Sequence, residues 1–106
     1  MAVEILNRDF FVQTSVFIPI YKDRDGKKYL VFEVRAERIM KGNEICFPCG
    51  LFEPEKDIDF EETAIRETSE ELGIDRGKIK IKKHLGCVVA PLGVIVESFI
   101  GYIRYN

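Results

Sequence analysis

Apolar and polar positions divide the chain into a series of strand-like runs interrupted by one helical run. Residues 10–21 read Phe-Phe-Val-Gln-Thr-Ser-Val-Phe-Ile-Pro-Ile-Tyr, a β-branched and aromatic segment. Pro19 cannot donate to a ladder, so the segment is expected to be a strand lying partly at a sheet edge. Asp25-Gly26 is a hairpin turn signal, and the loose alternation over 28–35 predicts the returning strand. Residues 36–44 are polar and read as a connection. Ile45, Cys46 and Phe47 predict a short buried strand, closed by Pro48, which holds the residue before it extended. Residues 50–59 form a polar loop with Pro54 and four acidic side chains, of a kind that is usually functional or disordered.

The helical run is 60–72. Asp59 supplies an N-cap with Glu62 as its reciprocal partner three residues on, and Gly73 supplies the stop. At 3.6 residues per turn, Phe60, Ala64, Ile65, Thr68 and Leu72 fall on one arc, which is expected to face a sheet. Residues 79–90 and 94–105 then read as strands around a Pro91-Leu92-Gly93 turn. Strands, one helix and more strands predict an α+β fold, a mixed sheet with the helix packed on it. No segment after 105 covers the last strand or the second face of the sheet. The expectation is a single domain over 1–106 that is incomplete at its C-terminus and belongs to a longer protein.

Composition narrows the function classes. The 106 residues carry 18 acidic and 16 basic side chains, a net charge of -2. Such a balance provides no broad field for nucleic acid, although a local basic patch is compatible with it. No apolar run approaches the roughly 20 residues of a membrane span, and Met1-Ala2-Val3-Glu4 does not open a signal peptide. The odd count of three cysteines argues against a disulfide framework. Cys46 and Cys49 have CxxC spacing, but a zinc site would need Cys87 and His84 to converge with them. Thiols in a reducing cytoplasm are the simpler expectation.

The helix carries the candidate chemistry. Glu67, Glu70 and Glu71 are spaced i, i+3, i+4 and so share one face. Like charges at this spacing repel, and at a cleft a counter-charge is needed. Carboxylate oxygens select hard cations such as Mg²⁺, Ca²⁺ or Mn²⁺, and a cation so held can bind a diphosphate that the carboxylates alone would repel. The competing reading is a solvated acidic surface. Arg66 is either an ordinary i+4 partner of Glu62 or Glu70, or a group that orients one of the carboxylates.

Arg66-Glu67-Thr68-Ser69-Glu70-Glu71-Leu72-Gly73-Ile74 resembles the second half of the Nudix hydrolase signature. The first half departs from it: Cys49-Gly50 stands for Gly-Gly, Leu51 for the usual Lys, and Lys56 for the Glu six residues after the Gly. The gap from Gly50 to Arg66 is longer than usual, so Asp57 or Asp59 is left to replace the missing acid. Thr63-Ala64-Ile65-Arg66-Glu67, Phe32-Glu33-Val34-Arg35-Ala36 and Phe47-Pro48-Cys49-Gly50 resemble, in part, the coenzyme A diphosphatase branch. Met40 and Asn43 depart from that branch.

The resemblance implies a Nudix fold of α/β/α sandwich type. It implies hydrolysis of a nucleoside diphosphate linked to another moiety, coenzyme A or a derivative being one candidate, with Mg²⁺ or Mn²⁺ as cofactor. Glu67, Glu70, Glu71 and the Gly50 carbonyl match metal contacts, Arg66 the brace among the catalytic residues, and Arg35 a substrate-side residue. The implied partner is a small-molecule diphosphate, with no nucleic acid and no membrane; a homodimer is left open. Alternatives are an inactive Nudix-fold binding module, or a hydrolase of nucleotide sugars or dinucleoside polyphosphates.

Overall fold

The computed structural model describes residues 11–37, 42–90 and 93–105. Its elements in chain order are β1 (Val12–Lys22), β2 (Lys28–Leu30), β3 (Glu33–Glu37), β4 (Gly42–Cys46), β5 (Cys49–Leu51), α1 (Phe60–Leu72), a 3-10 turn (Arg76–Lys78), β6 (Ile79–Ala90) and β7 (Val94–Ile103). The main sheet runs β2-β1-β7-β6, with β5 also paired to β1. β1 and β7 are parallel, from Val12 opposite Val94 to Tyr21 opposite Ile103, and the other pairs are antiparallel. The sheet is therefore mixed, and the fold is α+β.

β1 is an inner strand, not an edge strand. One side of it is paired to β7 along nearly its whole length, and the other side is shared between β5 at Thr14–Val16 and β2 at Ile20–Lys22. Pro19 lies in the gap between those two short partners, where no ladder amide is required, and its carbonyl accepts from the Val31 amide. A proline inside a central strand is thus accommodated by a break in the neighbouring ladder.

The expected returning strand over 28–35 is two elements. Chain pairing with β1 ends at Leu30, and Glu33–Glu37 pairs instead with Gly42–Cys46 in a separate two-stranded ribbon. The polar stretch expected to be a connection is largely this ribbon, although residues 38–41 lie outside those described. Ile45 is 67% exposed, so its strand is not the buried one expected. Pro91 and Leu92 also lie outside the described residues, and Gly93 takes the positive φ of a turn.

α1 begins and ends at the expected residues. The Asp59 carboxylate accepts from the Glu62 amide, and Gly73 sits in the left-handed conformation with its amide on the Ser69 carbonyl. Glu62 does not complete a reciprocal box: its carboxylate pairs with Arg76. The helix packs on one sheet face, where Phe17, Ala64, Ile79, Phe99 and Ile103 form the core and Phe60, Ile65, Leu72 and Tyr21 pack around it. Thr63 and Arg66 are buried as well, so the covered arc is wider than the apolar positions indicate.

A candidate metal and diphosphate cleft

The short strand β5 meets α1 side-on. Its Ser15–Gly50 pairing with β1 occupies one strand edge, and helix side chains bond to its backbone groups. The Cys49 amide donates to Glu71 Oε1 at 3.1 Å, and Arg66 Nη2 donates to the Leu51 carbonyl at 3.0 Å. Gly50 lies between them. A Cβ there would come within 2.1 Å of the Glu67 carboxyl carbon, so the bare glycine allows Glu67 to lie against the strand.

Arg66 is the hub. It is 4% exposed, and its Nε and Nη2 donate to both oxygens of Asp57 at 2.8 and 2.9 Å, a bidentate pair. Nη1 lies 3.0 Å from Glu67, 3.5 Å from Glu70 and 3.4 Å from Glu53. Asp57 also accepts from the Thr63 hydroxyl at 2.9 Å and the Glu53 amide at 3.0 Å. The Arg66 hydrogen bonds hold the Asp57 carboxyl down at about 2, against its burial. The same partner raises the Arg66 guanidinium above its usual value. For Glu67, burial prevails over the attraction of Arg66 and pushes its carboxyl up.

Of the residues indicated by the sequence, Gly50, Arg66, Glu67 and Glu71 meet at the seam of β5 and α1. Glu70 reaches the same guanidinium from outside, with its side chain 56% exposed. The acid left open between Asp57 and Asp59 is resolved by geometry: Asp57 binds Arg66 and Asp59 caps the helix. Lys56 is exposed and pairs with Glu53 at 3.5 Å, taking no place beside Arg66. Arg35 stands on β3 opposite Glu44, in the separate ribbon. Sequence reasoning missed Glu53, the Cys49 amide and the Leu51 carbonyl. Glu53 carried a usable signal, as an acid directly before Pro54 in the loop entering the helix; the two backbone groups carried none.

A hard divalent ion suits the donor set, which is all oxygen, and the space a Cβ would fill at Gly50 is already used by a carboxylate. As the side chains stand, no three His, Cys, Asp or Glu among the described residues are grouped closely enough to hold an ion. Arg66 Nη1 lies against Glu67 and Glu70, so coordination would require these carboxylates to turn from the guanidinium. Cys46 Sγ donates to a Glu33 carboxylate oxygen at 3.3 Å.

Fold and cleft together define a mixed-sheet α+β domain built around one acid-rich helix that is seated on a glycine-bearing strand. Residues 12–93 match the NUDIX domain, and the chain belongs to that family, whose hydrolases generally use divalent metal ions. It is 34% identical over 93 residues to the peroxisomal coenzyme A diphosphatase NUDT7 of Mus musculus, covering 87% of this chain and 39% of that protein. The chain therefore spans well under half the length of this curated relative. A crystal structure of the C. elegans Ap4A hydrolase matches with a TM-score of 0.66 at 21% identity, covering 91% of this chain and 70% of that one. The M. smegmatis Nudix hydrolase RenU matches with a TM-score of 0.69 at 13% identity, covering 99% and 67%. At these identities the two structures establish the fold alone.

Proposed function

We propose that the chain is the metal-binding part of a Nudix pyrophosphohydrolase that cleaves a nucleoside diphosphate joined to a second group, with coenzyme A or a derivative as the substrate class. The observation that carries this reading is the seating of Glu67 against Gly50, one residue from where the Cys49 amide holds Glu71. Two acids of the helix face are thereby turned toward a backbone cleft. Similarity to a coenzyme A diphosphatase supports the substrate class.

When bound, a Mg²⁺ or Mn²⁺ ion would lower the pKa of a water and neutralise charge on the diphosphate. Glu67, Glu70, Glu71 and the Gly50 carbonyl would hold it. The chain's own groups supply position. Arg66, fixed by Asp57, lies against Glu67 and Glu70 and offsets their mutual repulsion until an ion takes its place. The Cys49 amide fixes one oxygen of Glu71. Arg35 is assigned to the substrate side.

Glu71→Gln keeps the shape and removes one charge. In the full-length protein, metal-dependent hydrolysis of coenzyme A should fall by about a hundredfold or more, the scale of losing an electrostatic group from an active site, with little change in melting temperature. Near-full turnover in that variant would refute the assignment. Hydrolysis of a nucleotide sugar or dinucleoside polyphosphate in preference to coenzyme A would retain the chemistry and reject the substrate.

A further inference from the structure

At the far end of β1, six residues and roughly 20 Å along the strand from Ser15, lies a second concave surface, away from the seam of β5 and α1. Tyr21, Lys22, Asp23, Arg24, Arg104 and Tyr105 line a cavity of about 590 Å³. This is within the range of small-ligand sites, roughly 300–1,000 Å³. Tyr21 and Tyr105 meet edge to face with ring centroids 5.7 Å apart. All four tyrosines of the chain lie at this end: Tyr29 pairs with Tyr21 across the β1–β2 ladder, and Tyr102 is opposite Ile20.

The charges here are unbalanced. Among the described residues, Lys22, Arg24 and Arg104 form no ion pair with a carboxylate. The one acid in the lining, Asp23, is occupied in its own turn: it accepts from the amides of Asp25 and Lys27 at 2.9 Å and from the Tyr29 hydroxyl at 3.3 Å. Lys22 moreover stands directly opposite Lys28 in the ladder, a like-charge pairing that costs stability unless an anion lies between. Lys28 Nζ has an aromatic neighbour, the Tyr102 ring at 5.9 Å. Unpaired guanidinium groups select phosphate, and beside them an exposed Tyr105 against a partly buried Tyr21 selects a flat ring.

We propose that this surface is a second, non-catalytic site for a small nucleotide, its phosphate held by Lys22, Arg24 and Arg104 and its base resting on Tyr21 and Tyr105. A single nucleotide is favoured over a nucleic-acid strand. The cavity is of single-ligand size, and the chain's net charge of -2 provides no extended basic track.

The test is a titration of the full chain with adenosine 5′-monophosphate in EDTA, following the ring-proton resonances of Tyr21 and Tyr105. The probe has no diphosphate to cleave and EDTA removes divalent ions, so the result is independent of the catalytic assignment. Saturable shifts are expected, larger than those given by inorganic phosphate. Arg24→Gln and Arg104→Gln, both at exposed positions, should each weaken binding about tenfold, the loss of one charged hydrogen bond. The proposal is overturned by any of four results: no saturable shift, equal shifts with inorganic phosphate, unchanged affinity in both arginine variants, or a ten-nucleotide single-stranded RNA that binds about a hundredfold more tightly than the mononucleotide.

Discussion

Asp57 shows how one buried side chain repairs a departure from the family signature. The position six residues after Gly50 holds Lys56, whose ammonium faces solvent, and the next residue supplies the carboxylate that Arg66 needs. Its carboxyl titrates at about 2, below the roughly 3.9 of an unfolded aspartate. A lowered folded-state value stabilises above the unfolded value, and that contribution is lost as pH falls through the folded one. Asp57→Asn should cost about 3–5 kcal/mol at pH 7, the range for breaking a buried pair, as read from urea unfolding. The gap between variant and wild type should narrow by about 2–3 kcal/mol between about pH 5 and pH 2; a gap of constant size across that interval would show that the ion pair is not its source. Thr68 makes the opposite case. Its hydroxyl is the one buried side-chain polar atom without a hydrogen-bond partner among the described residues. Thr68→Val should therefore raise stability by about 1 kcal/mol in a thermal melt, and a loss of stability would mean that the hydroxyl is satisfied in solution.

At the scale of elements, α1 was legible because its determinants are local: an Asp at one end, a Gly at the other, and no helix breaker between. Glu67, Glu70 and Glu71 could be placed on one face for the same reason. β5 was not legible. Cys49-Gly50-Leu51 has no strand pattern, and its identity as a strand depends on Ser15, far off in sequence, and on helix side chains that bond to its backbone groups. Pro19 pointed to an edge because a local rule does not register a gap between two distant short strands. The alternation over 28–35 does not register a change of partner at Val31 and Phe32. Arg66 was read among polar helix positions, and its burial depends on Asp57, which approaches from the loop. The seam between β5 and α1 also makes a prediction. In Gly50→Ala the added methyl meets the end of the flexible Glu67 side chain, so the fold should tolerate it while Glu67 is displaced. Melting should change by less than about 1 kcal/mol equivalent, and metal-dependent turnover should fall at least tenfold, about 1.4 kcal/mol of transition-state stabilisation. A strongly destabilised but otherwise active variant would contradict the cradle.

Across the whole molecule, stability is unevenly distributed. β1 and β7 lie at the centre of the sheet, with Phe17 and Phe99 buried in the core between sheet and helix. The β3–β4 ribbon stands apart from that ladder, with Val34 and Ile45 more than half exposed, and a two-stranded ribbon by itself is marginal. Backbone amides of the ribbon should exchange with deuterium at least about a hundredfold faster than those of β1 and β7, since local opening there costs less than global unfolding; equal protection would show that the ribbon opens only with the rest. The parallel pairing of β1 with β7 has a further consequence for biosynthesis. β1 acquires its longest neighbour only after β7 has been made, since Val12 pairs with Val94 and Tyr21 with Ile103. Until then a β-branched, aromatic edge waits with short antiparallel partners at most. Closure of the sheet should be a slow event, and the nascent chain should be a client for chaperone holding until β7 emerges.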